Sequence, residues 1–225
     1  MKKRGILSRT VSIMLILSVV SAFTALGQES TKPGVIQLNK PDFTRGMPLM
    51  KALKERKTNR NIADLPLPEE KLSGLLWAVN GQNRDDGRRT APSAMNRQMV
   101  DLYVVLTEGI YLYKPAEHLL ELKVAGDYRK LAGGQPFVSI APVNLIFVAD
   151  FGKWKSGEHQ PSREELVTFA GIEAGCQAQN AYLYGASEGL AVVVRGSVNK
   201  EEVTQLLGLT ADQYIVAAQT IGMPK

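Results

Sequence analysis

The order of the elements predicts an α+β fold. Two helical segments come first, a hairpin-rich β-region follows, and a long helix then stands between single strands. Neither G-x-G-x-x-G after a strand nor G-x-x-x-x-G-K-[ST] occurs, so dinucleotide-fold and P-loop phosphate binding are not supported. At 225 residues, 44% of them hydrophobic, the chain can build one substantial core.

The N-terminus has its own chemistry. Lys2, Lys3, Arg4 and Arg9 precede the mostly apolar, uncharged run Val11 to Val20, and Ala25-Leu26-Gly27 offers a small-residue cleavage site. Residues 1–27 therefore read as a signal peptide, which implies an exported, periplasmic protein with no stable membrane insertion after cleavage. Loss of these four basic residues lowers the net charge from +5 to about +1. The overall basicity thus belongs largely to the signal, and no nucleic-acid partner is expected. Residues 28–45, with Pro33, Gly34 and Pro41 and no periodicity, read as a linker or N-terminal arm, and 46–225 as the domain.

A first helix is expected over about 49–57, from the spacing of Leu49, Met50 and Leu53. Pro68-Glu69-Glu70 starts a second, which carries Leu72, Leu75, Leu76 and Val79, with Gly81 expected to close it in left-handed geometry. Residues 82–96 form a polar, charge-dense loop. Strands at 102–106 and 110–113 flank Thr107-Glu108-Gly109, and 118–124 alternates as a third. Gly133-Gly134 and Pro136 mark a turn before the apolar run 143–148, the pattern of a buried central strand.

The longest helix is expected over 161–190, capped by Ser162 and ended by Gly189. Ala170, Ala174 and Ala178 form one row on it and Gly171 and Gly175 the next, so another backbone can approach closely. A strand at 191–194, a helix from Asn199 to Gly208 and a strand at 214–221 complete the chain.

Arg56-Lys57-Thr58-Asn59-Arg60 places three cations and a hydroxyl within five residues, a donor set suited to phosphate oxygens. The competing explanation is a basic helix end that complements the macrodipole. One Cys (Cys176) and two distant His (His118, His159) assemble no metal site and no nucleophile–base pair from spacing.

Four segments together resemble the FMN-dependent nitroreductase family, and within it the thiazoline/oxazoline dehydrogenase branch. Arg56-Lys57-Thr58-Asn59-Arg60 is similar to the family's Arg-Arg-Ser-x-Arg segment, with Lys57 standing where Arg is common. Pro92-Ser93-Ala94-Met95-Asn96-Arg97-Gln98 resembles its Pro-Ser-x-x-Asn-x-Gln loop. Gly171 to Leu190 looks like its central helix, and Val194-Arg195-Gly196 with the helix ending at Leu206–Leu209 like the segment lining the flavin.

The resemblance implies a mostly antiparallel sheet flanked by helices, in an intertwined homodimer. It further implies FMN held through Arg56, Lys57, Thr58, Arg60, Pro92, Ser93, Asn96, Arg195 and Gly196, with Ser93 and Asn96 reaching across the subunit boundary. Electrons would pass through flavin N5 from a small-molecule donor, with NAD(P)H the family's common one, to a small-molecule or peptide-derived acceptor. No catalytic acid or base is assigned, because the flavin carries the chemistry. The alternative is a non-enzymatic periplasmic flavin-binding protein, since NAD(P)H is scarce outside the cytoplasm.

Overall fold

The computed structural model describes residues 34–154, 157 and 160–225; the expected signal peptide and His159 lie outside these. Among the described residues, seven strands form one sheet in the order β1-β4-β3-β2-β5-β7-β6, with every neighbouring pair antiparallel. They are β1 (Val35–Gln37), β2 (Val100–Val105), β3 (Gly109–Lys114), β4 (Leu119–Ala125), β5 (Val143–Asp150), β6 (Ala191–Arg195) and β7 (Gln213–Gly222). The helices are α1 (Leu49–Glu55), α2 (Glu69–Asn80), α3 (Pro136–Ile140), α4 (Arg163–Glu188) and α5 (Lys200–Leu207).

Period-two alternation sorts the side chains onto two faces. Leu102 and Val104 of β2, with Leu145 and Phe147 of β5, join a core that includes Leu75, Leu76 and Val79 of α2 and Ala170, Ala174 and Ala178 of α4. Their neighbours Tyr103, Val105, Ile146 and Val148 join a second core on the other face, with Val138 of α3 and Val203 of α5. The central strand β5 is buried from Val143 to Ala149, as its continuous apolar run requires.

Local chemistry fixes the ends of α4. Ser162 Oγ accepts from the Glu165 amide, Glu165 returns the bond to the Ser162 amide, and Gly189 closes the helix at φ 72°. The alanine row is buried, whereas Gly171 and Gly175 are exposed beside Ile172. Cys176 is a free thiol of intermediate burial rather than a fully buried one. No helix among the described residues is long and apolar enough to cross a membrane.

Four expectations need correction. Val35–Gln37 of the expected linker pairs with β4 as an edge strand, and Leu38 behind it is buried. Helix α1 stops at Glu55, where Arg56 turns to ψ 121°, so the basic stretch follows the helix instead of forming its last turn. Gly81 is extended (φ −68°, ψ 152°) rather than left-handed; glycine is favoured there because a Cβ would overlap Trp77 Cδ1. The expected turn at 133–136 continues into the short helix α3.

Candidate functional site

The basic stretch Arg56–Arg60 is pinned at both ends of its short run. The Arg56 amide closes α1 on the Ala52 carbonyl, and the Asn59 amide donates to Val192 O of the edge strand β6 at 3.0 Å. Tyr182, on the buried face of α4, anchors the middle. Its hydroxyl accepts from the Val194 amide at 3.0 Å and lies 2.9 Å from Thr58 Oγ1, while Arg56 stacks 5.4 Å from its ring centroid.

Among the described residues, the charged heads of Arg56, Lys57 and Arg60 have no hydrogen-bond or ion-pair partner. Lys57 and Asn59 line a cavity of about 260 Å³ with Glu55, Tyr182, Gly185 and Pro224, while Arg56, Thr58 and Arg60 lie outside its lining. Arg56 and Thr58 are held against Tyr182, Lys57 and Arg60 are exposed beside them, and the set fits the oxygens of a phosphate monoester.

The second group lies on the loop before β2. Met95, Asn96 and Gln98 all hold positive φ (49°, 53° and 50°), a costly backbone for residues other than glycine. Local bonds hold it so: Ser93 Oγ accepts from the Gln98 amide at 3.0 Å, and Gln98 Nε2 donates to Asn96 Oδ1 at 3.1 Å and to Gly87 O at 2.9 Å. These contacts leave the Ser93 O–H and the Asn96 amide N–H groups available. Pro92, Ser93 and Asn96 line a cavity of about 410 Å³ together with Arg84, Arg88 and Arg89.

Behind this loop, Glu173 of α4 is buried and accepts from the amides of Met99 and Val100, each at 3.1 Å. Burial pushes its carboxyl pKa up, and those amides, Arg89 and Lys153 draw it back. Glu173 thereby ties the end of the loop to the long helix.

Arg195 is differently placed from the other candidates. Its guanidinium is buried and donates to the carbonyls of Ala132 and Ser197, both at 2.7 Å, and to Thr220 Oγ1 at 2.7 Å, with Asn144 Oδ1 at 3.4 Å. Thr220 in turn donates to Asn144 at 2.6 Å, and Asn144 to Val138 O at 3.0 Å. Burial without a carboxylate partner pushes the Arg195 pKa down to about 10. Gly133 makes room for it, since a Cβ there would overlap Nη1. Arg195 therefore joins β6, β7, β5 and the 132–133 turn, and its side chain has no donor left over. The next residue, Gly196, faces open space.

The predicted residues thus fall into three separate places. No hydrogen bond or ion pair among the described residues joins 56–60 to 92–96, and the two segments line different cavities. Sequence reasoning missed Tyr182, Glu173 and the three arginines of the 84–89 loop. Tyr182 and Glu173 could have been flagged as polar members of the face carrying Ala174, Ala178 and Ala181.

The chain matches the nitroreductase family model over residues 53–223. It is similar to the crystal structure of a candidate nitroreductase from Ralstonia eutropha, at TM-score 0.78 and 44% identity, covering 85% of this chain and 90% of that one. A candidate nitroreductase of Methanocaldococcus jannaschii is 28% identical over 76% of this chain and 89% of its own length. An FMN reductase [NAD(P)H] of Bacillus subtilis is 28% identical over 78% of this chain and 66% of its own.

Proposed function

The chain belongs to the nitroreductase family, and from that premise we propose that it is an exported, homodimeric FMN-dependent oxidoreductase. It takes electrons from a small-molecule donor and delivers them to a small-molecule or peptide-derived acceptor. The observation that carries this reading is the Arg56–Arg60 donor set: three cations without a hydrogen-bond or ion-pair partner among the described residues and a hydroxyl, on a stretch tied to β6 through Asn59, with Arg56 and Thr58 against Tyr182. When bound, FMN supplies two-electron chemistry at its N5 atom. Arg56, Lys57, Thr58 and Arg60 would hold its phosphate. Ser93 and Asn96 would donate to it from the partner subunit, and the 195–196 backbone would lie beside the ring system.

Exposed apolar side chains support the dimer. Leu49 and Met50 on α1 are 62% and 75% exposed, and Ile172 on α4 is 61% exposed beside bare glycines. The name of the Bacillus subtilis relative supports NAD(P)H as the donor. Within the family, the four segments taken together resemble the thiazoline/oxazoline dehydrogenase branch, to which the chain is assigned in this reading.

A visible-absorbance scan of the purified protein, with mass spectrometry of the released cofactor, tests the reading. FMN is expected, bleached anaerobically by NADH or NADPH. Bleaching by dithionite alone would favour a flavin-binding protein without enzymatic turnover, and a chain that takes up no FMN would overturn the proposal.

A further inference from the structure

We propose that the cavity lined by Arg84, Arg88 and Arg89 binds the carboxylate or phosphate group of the substrate. This rests on the flavin reading above for the word substrate, and on the cavity itself for the anion.

The lining carries three guanidinium groups and no carboxylate. The arginines are built into the loop. Arg84 donates to Asn83 Oδ1 at 2.9 Å and to Arg89 O at 3.2 Å, which fixes its plane. Arg88 is partly offset by Asp86 at 2.8 Å. The backbone pairing of Gln82 with Arg89, and the Asn83 amide on Arg88 O at 3.1 Å, fold the segment into a closed hairpin.

Arg89 is the informative member. It is half-buried, and burial pushes its pKa down, yet its guanidinium has no hydrogen-bond or ion-pair partner among the described residues. Asp101 and Glu173 act on it only at a distance; Asp101 is paired with Lys153, and Glu173 holds the Met99 and Val100 amides. A half-buried guanidinium without a protein acceptor keeps its donor fork open to the cavity it lines, and an anion engages that fork bidentately.

Ser93 and Asn96, which also line the cavity, accept from Gln98 through their oxygens and add no negative charge beside the arginines, while their donors remain assigned to the flavin. Exposed Met95, held at φ 49° on the rim, adds an apolar contact for the uncharged part of a ligand. An anion-bearing molecule with an apolar body suits this lining.

Equilibrium dialysis of the full chain, with and without FMN, tests the proposal against 4-nitrobenzoate, 4-nitrophenyl phosphate and the neutral methyl 4-nitrobenzoate. One or both anions should bind at least about tenfold tighter than the ester, and which one wins tells carboxylate from phosphate. Arg89→Ala should cut that preference roughly ten- to hundredfold, Arg89→Lys less, and Arg88→Ala least because Asp86 already offsets it. Arg84→Ala supplies a second reading should Arg89→Ala fail to fold. Equal binding of anions and ester, or equal losses for all three probes in the arginine variants, would overturn it. So would loss of FMN itself in Arg89→Ala, which would place the cluster on the cofactor. If the chain takes up no FMN, the flavin reading falls, while dialysis of the unloaded chain still decides the cavity.

Discussion

Arg195 and Arg56 carry the same guanidinium and meet opposite surroundings. Arg195 sits inside the fold with its donors on Ala132, Ser197, Thr220 and Asn144. Arg56 lies over the ring of Tyr182 with its N–H groups free, and Lys57 and Arg60 beside it are equally unengaged. The difference separates a structural arginine from a binding one. A buried cation survives folding only if protein acceptors replace the water it loses. Cations that are held in position yet keep their donors free are arranged for something that arrives later.

The largest effect that could break this contrast lies at Arg195. Arg195→Met removes the guanidinium, takes the donor from the carbonyls of Ala132 and Ser197, and leaves Thr220 and Asn144 only their bond to each other on that side. We expect a loss of about 3–5 kcal/mol, read as a lower urea midpoint at unchanged slope. A variant of wild-type stability that has lost only FMN would move Arg195 into the binding class.

Arg56→Ala and Arg60→Ala should behave in the reverse way. Each should cost under about 1 kcal/mol of stability but remove a charge-assisted contact of roughly 1.5–3 kcal/mol, weakening FMN about ten- to hundredfold. Lys57→Ala should cost less, because an ammonium on a flexible stem is less pre-organised. Riboflavin lacks the phosphate, so its affinity should hardly change. Parallel losses of FMN and riboflavin would show that the stretch acts through folding.

The two arginines also mark what the sequence can and cannot disclose. The ends of α4 were legible because a capping box needs only Ser162 and Glu165, three residues apart, and its stop needs only Gly189. The two-sided core was legible from the alternation of β2 and β5. Edge strand β1 was not, because three residues of strand are fixed by Glu121, Leu120 and Leu119, far along the chain. Arg195 looked like a ligand-facing residue since nothing local reveals that Ala132, Asn144 and Thr220 converge on it. Arg89 looked like one more charge in a polar loop, because its half-burial depends on the folded hairpin and on α4 behind it. Charge and spacing are written in the sequence; whether a donor is already taken is a property of the folded chain.

The smallest predicted effect falls on a polar group whose engagement depends on its protonation. Ser73 Oγ donates to the Asn39 carbonyl, so it accepts from His118 Nε2–H at 2.9 Å. His118 Nδ1 then accepts the Tyr113 hydroxyl at 2.7 Å. The His118 carbonyl also receives the Leu38 amide at 3.2 Å, so the chain segment leading from β1 is held at this point. Protonation of Nδ1 turns that acceptor into a donor. Tyr113 is 2% exposed, and its hydrogen would then have no acceptor in reach. Burial already holds the His118 pKa below its ordinary 6.5, so the unfolded chain binds the extra proton more readily than the folded one. Stability should therefore be fully present above about pH 6.5 and decline as pH falls from there toward the folded-state pKa. Urea midpoints between pH 7.5 and 5 should show this slope. His118→Asn, which tolerates the left-handed backbone at φ 49°, should flatten it while costing about 1–2 kcal/mol at neutral pH for the lost bonds. A slope that persists unchanged in His118→Asn would assign the acid sensitivity to another group and leave the Tyr113–His118–Ser73 chain a fixed structural element.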